Sequence, residues 1–148
     1  RPGGFGGFDI YKSELDASGN WGPPTNLGSV INSAFDETTP FITEDGKTLY
    51  FSSEGHFNIG GFDIFISKKT GEQWNTPENL GYPFNTTDDD IFFFPLKNGD
   101  IAYYSKYKPT GFGENDIYRM QIISREDMDE REEEIREGNF VEDSLIEN

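Results

Sequence analysis

Residues Trp21, Pro24, Asn26-Leu27-Gly28, Asn32 and Asp36 recur 53 positions downstream as Trp74, Pro77, Asn79-Leu80-Gly81, Asn85 and Asp89. At the same offset Asp45-Gly46 returns as Asn98-Gly99, and Tyr50-Phe51-Ser52 as Tyr103-Tyr104-Ser105. Gly60 with Asp63-Ile64-Phe65 returns as Gly113 with Asp116-Ile117-Tyr118. Upstream, Gly6-Gly7-Phe8-Asp9-Ile10-Tyr11 copies Gly60–Phe65 at an offset of 54. The extra residue falls in the turn Leu15–Asn20, where a loop tolerates insertion. Internal repetition at this period restricts the fold more than any other feature, because each unit must bury its apolar surface against the next.

The unit itself reads as β structure. Thr39–Thr43 is a short apolar strand, and Glu44-Asp45-Gly46-Lys47 is a turn with glycine supplying positive φ. Thr48–Ser53 suits a pleated surface. Phe62–Ser67 alternates with period two, which predicts a strand with one buried face. Thr70-Gly71 marks a second turn, and Trp74–Leu80 an outer extended segment that Pro77 confines to an edge. No helical periodicity precedes Ser124. About four short strands at a period near 50 is the pattern of a propeller blade. The expected fold class is therefore all-β, with about two and a half four-stranded antiparallel blades: a partial blade 1–28, a full blade 36–81 and a partial blade 88–123. Fewer than about four blades do not close a ring. The chain is accordingly read as part of a longer polypeptide.

The residues Pro40–Ser53, followed by Asp63-Ile64-Phe65, resemble the TolB-type, WD-repeat-like β-propeller motif. That motif runs Pro, a short apolar strand, Asp-Gly-Lys, an apolar strand ending in Ser, then Asp-Ile-aromatic. The last copy departs from it, with Phe93 at the position of Pro40 and Asn98-Gly99-Asp100 for Asp45-Gly46-Lys47. The resemblance covers residues 5–123. It implies a non-catalytic interaction or scaffold module of a Gram-negative envelope protein, periplasmic or associated with the outer membrane. Such propellers accompany OmpA-like peptidoglycan-binding domains or belong to type IX secretion components. The implied partners are other envelope proteins, with peptidoglycan reached through a domain outside this chain. The alternative is a fragment of a propeller hydrolase or lyase acting on glycans or peptides.

Charge and composition narrow the function classes. The formal net charge of −16 argues against nucleic acid, whose phosphates require a basic surface. No apolar run approaches the roughly 18 residues of a membrane-spanning helix. Without cysteine there is no disulfide, thiolate nucleophile or cysteine-ligated metal. The 23 aromatic residues suit small sheets that need large side chains to bury area. Residues 124–148 carry eleven acidic and three basic side chains. Ser124 with Asp127 resembles a capping box, and Gly138 a helix C-cap, so this stretch reads as an acidic helical linker or tail.

The repeat also sorts candidate residues. Asp9, Asp63 and Asp116 recur, so they are expected to accept hydrogen bonds from turn backbone rather than to catalyse. Trp21 and Trp74 recur and are expected in packing. No catalytic or cofactor-binding residue is assigned, and no Ser-His-Asp order or phosphate loop is present. His56, the lone histidine, reads as an exposed loop residue and a poor metal ligand. Asp88-Asp89-Asp90 offers hard oxygen ligands suited to Ca²⁺. An inter-blade turn is the preferred reading there, because Asp89 and Asp90 have counterparts in Asp36 and Glu37. Phe92-Phe93-Phe94 reads as a strand buried on both faces. The loops Glu54–Gly61 and Tyr107–Glu114, with His56, Phe57, Tyr107 and Phe112, are the candidate partner contacts.

Overall fold

The computed structural model describes residues 3–96 and 101–121. Ten strands follow in order: β1 (Tyr11–Lys12), β2 (Thr25–Asn26), β3 (Glu37–Ile42), β4 (Thr48–Ser53), β5 (Asp63–Thr70), β6 (Gln73–Trp74), β7 (Glu78–Asn79), β8 (Ile91–Pro95), β9 (Ile101–Lys106) and β10 (Asp116–Gln121). They form three antiparallel sheets, with no helix among the described residues. β1 pairs with β2; β3-β4-β5-β6 form the central sheet, with β7 also on β5; β8-β9-β10 form the third. The turn 98–99 and the tail 124–148, with its expected helix, lie outside the described residues.

The repeat is visible in the register. Ile64 faces Ser52 across β4 and β5, and Ile117 faces Ser105 across β9 and β10, both pairs 53 positions apart. β3 is interrupted by a bulge between Thr38 and Phe41, β8 by one between Ile91 and Phe94. The Glu44–Lys47 turn forms as expected: Gly46 has φ 67°, and Asp45 accepts hydrogen bonds from the Thr43 hydroxyl and the Lys47 amide. The outer segment is two short strands rather than one, β6 and β7, with Asn75-Thr76-Pro77 between them.

Two apolar clusters hold the sheets together. Ile10, Ile31, Leu49, Phe51 and Phe65, with Leu27 and Trp74 against them, fill the space between the first strand pair and the central sheet. Ile64, Phe93 and Ala102, with Tyr50, Leu80, Phe84 and Tyr104, fill the space between the central and third sheets. Successive strand residues point to opposite faces, so Ile64 enters one cluster and Phe65 the other. β5 is therefore buried on both faces at its start, where period-two alternation alone predicted one.

Rings dominate the second junction. Phe41 meets Phe94 at 4.6 Å, Tyr50 meets Phe93 at 5.1 Å and Phe84 meets Phe93 at 5.3 Å between centroids. Phe93 is buried, but Phe92 and Phe94 are exposed, so β8 presents one face to solvent. The two tryptophans also part company. Trp74 packs on the first cluster with the Lys69 ammonium over its ring at 4.9 Å. Trp21 is 70% exposed, because no sheet among the described residues lies on its side of β1 and β2.

Candidate functional site

Strand direction places the loops 54–62 and 107–115, the segment 3–9, and the connections 28–36 and 81–90 at one end of the sheets. The tight turns 43–47 and 70–73 lie at the other end. The loop-bearing end is braced by one aspartate in each unit, and the first two units share a fuller bonding scheme. Asp9 accepts from the Phe5 and Gly6 amides at 2.7 and 3.0 Å and from Asn26 Nδ2 at 2.7 Å. Asp63 accepts from the Ile59 amide at 2.5 Å and from Asn79 Nδ2 at 2.8 Å, and Asp116 from the Phe112 amide at 2.9 Å. The recurring aspartates thus brace turn backbone, as their recurrence led us to expect. Burial pushes the Asp9 carboxyl up, but the bonds from Phe5, Gly6 and Asn26 outweigh it and hold the group below its ordinary value.

A second carboxylate reaches across from the following connection. Asp36 Oδ1 accepts from the Phe8 amide at 2.7 Å, and Asp89 Oδ1 from the Phe62 amide at 3.0 Å. A Cβ on Gly7 or Gly61 would fall 2.0 Å from that oxygen, so any larger residue there would push the capping carboxylate off its amide. Asn32 and Asn85 complete the lock. Asn32 accepts from the Ile10 amide and donates to the Ile10 carbonyl and Asn26 Oδ1; Asn85 does the same for Ile64 and Asn79 Oδ1. Each asparagine acts as one residue of an added strand, satisfying a buried amide and carbonyl together.

On this braced backbone sit exposed apolar side chains. Phe5, Ile59 and Phe112 occupy the same repeat position, each donating its amide to the aspartate four residues on, and all three side chains face solvent. Phe57 is 93% exposed, and Tyr107, at the start of the corresponding loop in the next unit, is also exposed. Phe57 and Phe112 therefore stand as free rings on rigid loops. Phe5 and Ile59 were not singled out from the sequence; the 53–54 offset from Phe112 is the signal that finds them.

His56 is placed differently from its expected exposed position. Its Nε2 lies 2.9 Å from the Ile31 carbonyl, so that nitrogen carries the proton and donates. Its ring packs on Phe51 and Phe65 at 5.8 and 5.2 Å. The histidine ties loop 54–62 to the preceding unit.

The three consecutive aspartates have separate surroundings. Asp88 is exposed, Asp89 caps Phe62, and Asp90 is buried with Oδ2 on the Thr86 amide and hydroxyl. Among the described residues no three His, Cys, Asp or Glu side chains converge as metal ligands. Asp90 occupies the position of Glu37, which accepts from Ser33 and Ser53. Where Ser53 stands in that unit, Lys106 stands in the next, and Asp90 Oδ1 and Asp63 Oδ1 are buried without hydrogen-bond partners. Burial pushes the Asp90 carboxyl up, aided by Asp63 and opposed by Thr86 and Lys106. A groove of about 100 Å³ lined by Ile66, Lys68, Asn75, Thr76 and Glu78 lies at the outer strands, smaller than the roughly 300–1,000 Å³ that encloses a small ligand.

No family model, curated protein or solved structure matches this chain. Among the described residues no helix is long and apolar enough to cross a membrane.

Proposed function

We propose that this chain is part of a β-propeller whose loop-bearing end binds a protein partner without catalysis, in a scaffold of the Gram-negative cell envelope. The observation that carries the binding role is the set of exposed apolar side chains, Phe5, Phe57, Ile59 and Phe112, on loops braced by hydrogen bonds. Loop backbone braced in the free protein needs little ordering on binding, and an aromatic side chain has few rotatable bonds to fix, so such residues suit an interface centre. Support for a propeller comes from sheets stacked face to face through Phe51, Phe65, Tyr50 and Phe93, with the same register and bonding scheme in successive units. The envelope placement rests on the resemblance of Pro40–Ser53 and Asp63–Phe65 to TolB-type repeats.

Fractionation of source cells, followed with an antibody to this segment, tests the placement. The band is expected in the envelope fraction; a soluble cytoplasmic band would overturn the placement. Incubation with a panel of glycans and peptides tests the non-catalytic role. Turnover would replace it with the propeller hydrolase or lyase reading.

A further inference from the structure

β1 and β5 are each covered on their outer edge by a segment Asn-Leu-Gly-x-x-x-Asn, residues 26–32 and 79–85. Every fixed residue in it has a task. Asn26 and Asn79 donate through Nδ2 to Asp9 and Asp63. Leu27 and Leu80 donate their amides to the Ile10 and Ile64 carbonyls and pack on the two apolar clusters. Gly28 and Gly81 have φ of 88° and 67° and donate their amides to the side chain of the asparagine two residues back. Asn32 and Asn85 bond both the amide and the carbonyl of Ile10 and Ile64. The residue before each, Ile31 or Phe84, joins the cluster.

β10 offers the same edge with nothing on it among the described residues. It is the outer strand of its sheet. Ile117 faces Ser105 as Ile64 faces Ser52, so its amide and carbonyl point away from β9 as those of Ile64 point away from β4. Asp116 accepts from the Phe112 amide as Asp63 accepts from that of Ile59, but among the described residues no asparagine donates to it. Ile10 is 5% exposed and Ile64 0%, whereas Ile117, at the same repeat position, is 80% exposed. A Cβ on Gly6 or Gly60 would strike the backbone of residues 34–35 or 86–87, whereas one on Gly113 would meet nothing within 4 Å. Arg119 is exposed and holds the repeat position of Ile66, which pairs with Glu78, the residue before Asn79.

We propose that the edge of β10 receives an extended segment of a partner protein with the chemistry Glu-Asn-Leu-Gly-x-x-apolar-Asn, added as a further strand. Its first asparagine donates to Asp116, and its last takes the amide and carbonyl of Ile117. Its leucine and apolar residue cover the Ile117 side chain. Its glycine meets the left-handed φ that this turn demands. Its glutamate stands opposite Arg119 on the same face of the sheet, where opposite charges stabilise a strand pair. This sequence holds two copies of the segment, and both are engaged on β1 and β5, so a partner supplies the one for β10. The inference rests on the repeat and is independent of the role of the loop-bearing end.

Amide hydrogen exchange in the intact, isotope-labelled chain tests this, with a synthetic peptide of residues 77–87 of the same sequence as the probe. Without peptide the Ile117 amide should exchange freely, while those of Ile10 and Ile64 are protected. At saturating peptide Ile117 exchange should slow about tenfold or more, the gain of one net hydrogen bond, with Ile10 and Ile64 unchanged as folding controls. A peptide carrying both Asn79→Ala and Asn85→Ala should protect nothing. Arg119→Glu in the chain should weaken the peptide about threefold, and Glu78→Lys in the peptide should recover it. Indifference to Arg119→Glu would overturn the choice of an acidic residue. Protection by the double-alanine peptide, no protection by the unaltered one, or effects on β5 instead of β10 would each overturn the proposal. So would slow Ile117 exchange without peptide: the edge would then be covered by the chain itself, or by a second copy if the slowing grows with protein concentration.

Discussion

Thr39 and Phe92 stand 53 residues apart, both have positive φ, 47° and 59°, and the Phe92 amide lies 3.5 Å from the Thr39 hydroxyl. Each sits at the bulge of its sheet's first strand, so the strain belongs to the repeat. The same Thr39 hydroxyl reaches Ser52 at 3.0 Å, tying bulge to neighbouring strand. A β-branched or aromatic residue in this region is an outlier whose cost the surroundings must offset.

Glycine should therefore reverse its usual ranking at position 92. In an ordinary strand glycine is less stable than alanine by about 0.5–1 kcal/mol. At a left-handed φ alanine carries a penalty of about 1–2 kcal/mol that glycine escapes. Phe92 is exposed, so its ring adds little on either side of the comparison. Urea unfolding should find Phe92→Gly more stable than Phe92→Ala; the ordinary order would contradict the strain.

Asn85→Ala should destabilise by about 2–4 kcal/mol, since it leaves the Ile64 amide buried and unpaired. The Ile64 carbonyl keeps the Leu80 amide at 3.0 Å, which limits the damage. Asn85→Asp retains the acceptor but loses both donors and adds a buried charge, so it should rescue nothing at neutral pH. Chemical unfolding of the three chains side by side decides this.

Asp90 predicts a pH dependence. Its folded pKa is raised above the ordinary 3.8 by burial, so the folded state holds this proton more tightly than the unfolded chain. The corresponding stability is fully present below about the ordinary value and is lost as pH rises through the raised one. At neutral pH the buried carboxylate, with Oδ1 unpaired, is a cost. Asp90→Asn should raise Tm at pH 7 by a few degrees, about 1 kcal/mol, and the gain should shrink below about pH 4. Asp9 runs the opposite way, its contribution present above its ordinary value and lost as pH falls. The measurement is therefore the difference between variant and unaltered chain across pH, followed by calorimetry.

His56→Ala should cost about 1–3 kcal/mol through lost packing on Phe51 and Phe65 and an unmet Ile31 carbonyl. Phe57→Ala, one residue on, should shift stability by less than about 0.5 kcal/mol, because the ring is in solvent. Thermal melts of this neighbouring pair separate the loop's anchor from its presented surface.

The strands at Thr48–Ser53 and 63–67, the Glu44–Lys47 turn and the bracing role of Asp9, Asp63 and Asp116 were legible because local pattern and recurrence specify them. The bulges at Thr39 and Phe92 were not, since no propensity favours positive φ at those side chains. His56 was misread because its partners, Ile31, Phe51 and Phe65, meet it only when units stack. Trp21 and Trp74 differ in exposure although the repeat equates them, because burial depends on which sheet lies alongside. Phe92-Phe93-Phe94 reads as uniformly apolar, yet only Phe93 is buried in the junction with the central sheet, while Phe94 meets Phe41 with half its surface still in solvent.

The binding role of the loop-bearing end is tested most directly by site-specific photocrosslinking in source cells. A photoreactive residue is placed at Phe57 or Phe112, and at Glu72 in the hairpin turn at the opposite end as reference. The account predicts one adduct of discrete mass, shared by Phe57 and Phe112 and absent at Glu72. Adducts at Glu72 alone, or none at either loop position, would contradict it.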